Sequence, residues 1–271
     1  MFDKGATTVR LSGVSARGAG LVVSTSVVGK DQELRFLFDS GAGRTVISRD
    51  AAGRLGLKTT EQGTLGGAGS GRVSVDVIKN VSLLVGGLRV DGVDLNVTDI
   101  PGDEHLEGII GYDLLCSAVV SVDFKGPSIT ATAPTAFQYH GGGDKLPLEI
   151  KGRWPFVKGT IKVPGVDPVD DLFLIDTGSD DAVNHPIIRK STGPLKETKT
   201  GNGGFGDAQP GVVGQNEWFR IGKTTIGPTT SVCCASTEEV SRQLGTAVLS
   251  RFLITFDYPD HTIFFEKYAD R

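Results

Sequence analysis

Phe36-Leu37-Phe38-Asp39-Ser40-Gly41-Ala42 and Leu172-Phe173-Leu174-Ile175-Asp176-Thr177-Gly178-Ser179 are two versions of one pattern. In each, an apolar run delivers an Asp, then a small hydroxyl residue, then Gly. A short apolar run of this kind reads as a buried strand. A Gly just after it permits a turn that a side chain would resist. Each copy therefore presents a carboxylate on a sharp turn at the end of a buried strand. Burying a carboxylate is costly, so two of them in matching settings point to a use. One Asp-Ser-Gly alone says little, because all three residues are common in turns. The weight lies in whether the surroundings repeat.

The surroundings do repeat. Leu21 to Lys30 reads as a strand with a Gly turn before Asp39, and Phe156 to Gly165 as its counterpart before Asp176. Thr45-Val46-Ile47 continues in extended form. Ser48 then reads as the N-cap of a short helix reaching Leu55 and closed by Gly56. In the second copy His185-Pro186-Ile187-Ile188 reads as a short helix with Pro at its first position. Thr64 to Val77 is a Gly-rich turn followed by alternating Val, a hairpin signal, and Thr200 to Gly214 is again Gly-rich. A hairpin lies within Val81 to Val97, and another at Trp218 to Gly222. Gly108 to Leu115 and Val119 to Phe124 close the first copy; Thr246 to Leu253 and Ile254 to Tyr258 close the second.

Spacing ties the copies together. Gly29 and Gly165 are 136 residues apart, Asp39 and Asp176 137, Gly86 and Gly222 136, and Ile110 and Leu249 139. Landmarks of different kinds that keep nearly one offset indicate an internal duplication. The pattern lapses between Pro134 and Pro147, where His140-Gly141-Gly142-Gly143-Asp144 has the composition of a linker. The expected organisation is a first lobe at 1–138, a linker at 139–147 and a second lobe at 148–271.

The paired motifs resemble the Asp-Thr/Ser-Gly motifs of the aspartic proteases, the pepsin and retropepsin superfamily. The resemblance implies an all-β chain of two pseudo-symmetric, retropepsin-like β-barrel lobes, the acid protease fold, with a few short helices. It implies catalytic carboxylates at Asp39 and Asp176. Ser40, Gly41 and Ala42 would support the dyad from one loop, and Thr177, Gly178 and Ser179 from the other. In the family the hydroxyl residues tie the loops together and the glycines donate backbone N–H groups to the carboxylates. Leu65, Gly66, Gly67, Ala68 and Gly69 would form a substrate-binding flap that starts like a retropepsin flap; the pepsin flap tyrosine has no counterpart in Gly66 to Val75. Family lobes also carry an apolar-apolar-Gly segment beside the Asp loop. Ile109-Ile110-Gly111 matches it, and Val248-Leu249-Ser250 is taken as the second copy, with Ser in the place of Gly.

The implied activity is that of an aspartic endopeptidase, hydrolysing peptide bonds with a water activated between two carboxylates. The alternative is a catalytically silent relative that binds peptides or proteins; both Asp and both Gly are intact, which weighs against it. A chain with two motifs is expected to work as a monomer on a peptide or protein substrate. Ser179, which follows Gly178, is expected to donate a hydroxyl hydrogen bond to the Asp176 carboxylate. Ala42 cannot do so for Asp39, and a mildly acidic optimum is the expected result.

Composition agrees with this frame and excludes others. Hydrophobic residues make up 38% of the 271 residues, enough for a core, and 38 Gly between short Val/Ile/Leu runs favour strands over helices. The net charge of -4, with basic residues unclustered, gives no footprint for nucleic acid. Three Cys make no disulfide framework; Cys233 and Cys234 read as free thiols and Cys116 as a core residue. The four His are scattered, and no metal or other cofactor is expected. No transmembrane run and no signal peptide are visible. The compartment is unknown, with a periplasmic or secreted location expected if a targeting segment was removed. Gly201 to Gly206 fits G-x-G-x-x-G but lacks a strand before it, and Pro210, Gly211 and Gly214 prevent the helix a dinucleotide site needs. Gly222-Lys223-Thr224 ends like a phosphate loop, but Glu217 stands where its first Gly should be. No serine-hydrolase G-x-S-x-G occurs.

Overall fold

Leu34–Phe38 is buried on both faces because it lies inside a sheet, antiparallel to Gly20–Val27 and parallel to Gly108–Ile110. The same arrangement recurs around Val169–Ile175, which lies between Trp154–Lys162, antiparallel, and Gln243–Leu244, parallel. Strands buried on both faces read as continuous apolar runs, which is why these two stretches of the sequence stand out. The structure, a computed structural model, describes residues 2, 7–18, 20–101, 105–201, 204–234 and 241–268.

The first lobe is built on an eight-stranded sheet. Its outer part is the long hairpin Val73–Val85/Leu88–Val97, which turns at Gly86-Gly87, with Glu61–Leu65 added at the edge. The second lobe has a seven-stranded sheet and a separate three-stranded one of Lys196–Thr200, Gln209–Asn216 and Thr229–Cys233. A six-stranded sheet joins the lobes. Thr8–Arg10, Ser128–Thr132 and Val119–Asp123 come from the first half, and Phe252–Asp257, Thr262–Lys267 and Asp144–Pro147 from the second. Its central seam pairs Val120 with Phe256 and Val122 with Ile254, all fully buried. Part of the expected linker belongs to this sheet: residues 144–147 pair with residues 262–265.

The chain is all-β with short helices at Arg49–Arg54, Tyr112–Leu115 and Thr246–Leu249, two lobes of the acid protease type. Ser48 caps the first helix as expected, its Oγ accepting from the Ala51 N–H at 3.1 Å. His185 caps the 3-10 turn Pro186–Lys190 through Nδ1, which accepts from the Ile187 N–H at 3.0 Å.

Three expectations are corrected. Cys233 and Cys234 are joined in a disulfide rather than free. Cys116 is exposed at the end of the Tyr112–Leu115 helix rather than in the core. The counterpart of Ile109-Ile110-Gly111 is Gln243-Leu244-Gly245, not Val248-Leu249-Ser250. Ile110 pairs with Phe38, and Leu244 pairs with Ile175, each residue preceding its Asp. Gly111 and Gly245 both start the short helix that follows, and Leu249 lies at the end of its helix. The true offset here is 134 residues, and Gly stands at this position in both lobes.

Candidate active site

The two Asp loops are hung from equivalent hydrogen bonds. The Asp39 N–H donates to the Ile110 carbonyl at 2.9 Å, and the Asp176 N–H to the Leu244 carbonyl at 2.9 Å. Further along each loop, the Tyr112 N–H donates to the Ala42 carbonyl at 3.0 Å and the Thr246 N–H to the Ser179 carbonyl at 2.8 Å. A side chain on Gly111 would meet the Asp39 and Ala42 carbonyls, and one on Gly245 the Asp181 backbone, so only Gly lets these segments run so close to the loops.

The loops also hold each other. The Ser40 N–H donates to Thr177 Oγ1 at 2.9 Å, and the Thr177 N–H donates to Ser40 Oγ at 3.0 Å. Each hydroxyl then reaches across the lobe boundary, Ser40 Oγ to the Ile175 carbonyl at 2.6 Å and Thr177 Oγ1 to the Phe38 carbonyl at 3.1 Å. The glycines pack crosswise against the carboxyls. A Cβ on Gly41 would fall 2.6 Å from the Cγ of Asp176, and one on Gly178 closer still to the Cγ of Asp39. Backbone N–H groups of its own loop favour the ionised form of each carboxylate, those of Gly41 and Ala42 for Asp39 and those of Gly178 and Ser179 for Asp176. The Gly178 bond to Asp176 Oδ1 is 2.9 Å long.

Both carboxyls are held above the ordinary range of an Asp. For Asp39 the shift is large; burial is the main cause, followed by the charge of Asp176. For Asp176 burial again raises the pKa, while its bonds to Asp39 and to the loop N–H groups favour the ionised form. Like charges at close range cannot both ionise easily, so the charge of each member disfavours ionisation of the other. A third side chain bears on it: Gln243 Nε2 donates to Asp176 Oδ2 at 2.5 Å. Asp181, itself raised by burial, adds a like charge beside Asp176.

The Ser179 hydroxyl does not serve Asp176. It accepts from the Asp181 N–H at 3.2 Å and favours the Asp181 carboxylate; only the Ser179 N–H reaches Asp176. The expected asymmetry in hydroxyl donation between Ser179 and Ala42 therefore has no basis in the geometry.

A cleft of about 1320 Å³ opens above the dyad, lined by Leu65, Gly66, Gly67 and Ala68 on one side and by Thr200, Gly204 and Phe205 on the other. The first hairpin of the roof is Glu61–Leu65/Val73–Val85, as the sequence led us to expect. The second lobe has its own, Lys196–Thr200/Gln209–Asn216. Their tips meet. The Ser70 N–H donates to the Asp207 carbonyl at 2.8 Å, the Asp207 N–H returns to Ser70 at 3.0 Å, and the Gly69 N–H donates to the Phe205 carbonyl at 2.9 Å.

Of the sequence-predicted residues, Asp39, Gly41, Ala42, Asp176, Thr177, Gly178 and Ser179 line the cleft floor and Leu65 to Ala68 its roof; Ser40 is buried behind the floor, and Gly69 packs against Gly206 where the two tips meet. Missed were Gln243 and Asp181; the Gly-rich stretch at Gly201 to Gly206 reads as a flap-like hairpin of the second lobe, and the structure has a hairpin there, but its tip residues Phe205 and Asp207 were not among the expected site residues. The signal for Gln243 was present in the sequence as Leu244-Gly245-Thr246, a Gly at a helix start like Gly111.

The model of the Aspartyl protease family matches residues 23–114, which include Asp39, the first hairpin of the roof and Gly111. Among solved structures, the chain is similar to the aspartic proteinase from Irpex lacteus, with a TM-score of 0.64 and 12% identity over 97% of this chain and 98% of that one. At that identity the likeness is one of fold. No curated protein sequence matches the chain. The chain has the acid protease fold along its length, and its sequence matches the Aspartyl protease family over most of its first lobe. Family and fold together support a general aspartic protease function.

Proposed function

We propose that the chain is an aspartic endopeptidase whose catalytic residues are Asp39 and Asp176. The observation that carries this reading is the half-buried carboxyl pair at the floor of a cleft, its loops locked by Ser40 and Thr177. The ionised carboxylate takes a proton from a water held between the two, and the oxygen of that water attacks the scissile carbonyl carbon. The protonated carboxyl gives its proton to the carbonyl oxygen. Collapse of the tetrahedral species breaks the C–N bond: the amine leaves with the proton that the first carboxylate took from water, and the other carboxyl regains its proton from a hydroxyl of the intermediate. No acyl-enzyme forms, because the nucleophile is water. Burial and the mutual repulsion of the two carboxyls favour the state in which the pair holds one proton.

The substrate is an extended peptide. The two hairpins over the cleft present strands and Gly-rich tips to its backbone, which is the way an extended segment adds to sheet edges. Both motifs lie in one chain, so one chain suffices for a site. Digestion of a peptide library read by mass spectrometry, with and without a pepstatin-like inhibitor, tests the reading. Inhibitor-sensitive internal cleavage by the wild type, lost in Asp39→Asn and in Asp176→Asn, supports it. Saturable peptide binding with no cleavage from pH 3 to 7 would overturn it in favour of a binding protein of the same fold.

A further inference from the structure

The lobes are near copies, but the position beside the dyad differs between them. Ile109 pairs with Leu37 in the first lobe, and Gln243 pairs with Leu174 in the second, each two residues before its Asp. One side chain is apolar and the other is a primary amide. Gln243 is only 7% exposed, and it lies on a two-residue strand fixed between Val169–Ile175 and Val183–Asn184. Its Nε2 donates to Asp176 Oδ2 at 2.5 Å. Among the described residues Asp39 receives no such side-chain amide, and its Oδ1 is buried without a hydrogen-bond partner.

We propose that Gln243 is a positioning residue that makes the dyad unequal: its amide holds Asp176 as the ionised, water-activating member and leaves the shared proton on Asp39. A hydrogen bond donated to a carboxylate favours the charged form, and a buried oxygen without a donor favours the protonated one. Other charges face the pair. Asp181 opposes the effect at Asp176 through its own charge, although Asn184 Nδ2 bonds its carboxylate at 2.6 Å. Asp180 lies on the same loop, and Arg44, Arg72, Arg153 and Lys199 line the cleft. Arg72 is engaged with Thr64, and Arg153 with the Gly43 carbonyl and the Tyr112 ring. Gln243 is thus the neutral donor that breaks the symmetry of the pair at contact distance.

The assignment of roles rests on the endopeptidase reading; the unequal titration does not, and it can be measured without turnover. Protein labelled with ¹³C at Asp carboxyls is titrated by NMR, with Asp39→Asn and Asp176→Asn supplying the assignments. In wild type, Asp176 should titrate at lower pH than Asp39. Gln243→Met keeps the length and removes the donor, and it should raise the Asp176 step by roughly one unit, about the worth of a charge-assisted hydrogen bond. Gln243→Leu is the second variant should Met fail to fold. The acidic limb of kcat/KM should move up by the same amount in Gln243→Met, a change that a merely structural role would not produce. Unmoved titration steps in a folded variant, or Asp39 titrating below Asp176 in wild type, would overturn the proposal. If the steps move but no peptide is cleaved, the hold of Gln243 on Asp176 stands and the endopeptidase reading falls.

Discussion

Ser40 and Thr177, 137 residues apart, each donate a backbone N–H to the hydroxyl of the other, at 2.9 and 3.0 Å, and both are almost fully buried. This reciprocal pair is the covalently unlinked joint between the two lobes at the dyad. It fixes the distance between the carboxyls, because each hydroxyl residue directly follows its Asp.

Thr177→Val keeps the volume and the β-branch but leaves the Ser40 N–H and the Phe38 carbonyl without their partner. An unpaired buried polar group costs about 1–3 kcal/mol, so urea unfolding should show a loss of that size. Peptidase activity should fall more steeply than stability, because the carboxyls lose their spacing. Thr177→Ser restores the hydroxyl and should recover most of both. Equal activity in the Val and Ser variants would show that the joint does not set the dyad.

Asp39→Asn should abolish turnover and at the same time stabilise the fold at neutral pH. The folded pKa of Asp39 lies above its unfolded value, mainly through burial. Such a group contributes stability that is full below the unfolded pKa and is lost as pH rises through the folded pKa. At pH 7 the unfolded chain has shed this proton and the folded chain resists doing so, which favours unfolding; Asn does not titrate and removes the penalty. The variant should melt a few degrees higher than wild type at pH 7, and the gap should close near pH 3. A variant that melts lower at pH 7 would mean that the Asp39 carboxylate is well satisfied in its ionised form.

Much of this site was legible in the sequence because its signals are local. A strand, an Asp and a Gly turn occupy consecutive residues, so Phe36 to Ala42 and Leu172 to Ser179 declare themselves. The helix caps at Ser48 and His185 are local too. What escaped depends on pairing between distant segments. Gln243–Leu244 is a strand of only two residues, and the polar Gln243 breaks the apolar pattern that marks Ile109-Ile110. The more apolar Val248-Leu249 drew the match five residues too far along. The direction of the Ser179 hydroxyl was equally hidden, since a Ser three residues after an Asp can serve the Asp or its own turn. Here it serves Asp181.

The roof of the cleft makes a separate prediction. Gly69 and Gly206 come together where the two tips cross, and a Cβ on Gly69 would fall 2.5 Å from the Gly206 carbonyl carbon. Gly69→Val should keep the tips apart. The strands that carry the tips are not part of the interlobe sheet, so the melting temperature should change little. Peptide binding should weaken, with kcat/KM falling about tenfold or more, chiefly through KM, since roughly 1.4 kcal/mol of uniform binding is worth that factor. Unchanged KM with a folded variant would show that the tips need not meet for a peptide to bind.

A last prediction concerns acid stability and lies away from the dyad. His185 is 5% exposed. Its Nδ1 accepts from the Ile187 N–H, so the proton sits on Nε2, which faces Asp171 Oδ2 at 3.2 Å. Arg242 Nε donates to the same oxygen at 2.7 Å. Burial pushes the His185 pKa down; the bond to Asp171 and its charge oppose this, and Arg242 adds to it. In the unfolded chain the imidazole binds its proton near pH 6.5, about the ordinary value, whereas the folded chain resists it. Stability from this site is therefore full above that pH. It declines as pH falls through the window down to the folded pKa, with a slope of at most about 1.4 kcal/mol per pH unit for one proton. Protonation at Nδ1 would also remove the acceptor that caps Pro186–Lys190. His185→Asn keeps a capping oxygen and cannot titrate. Urea unfolding between pH 7 and 5 should show wild type losing stability relative to His185→Asn as pH falls, with the difference levelling off at the lower end. Parallel stability curves for the two proteins would show that His185 takes up its proton as readily in the folded chain as in the unfolded one.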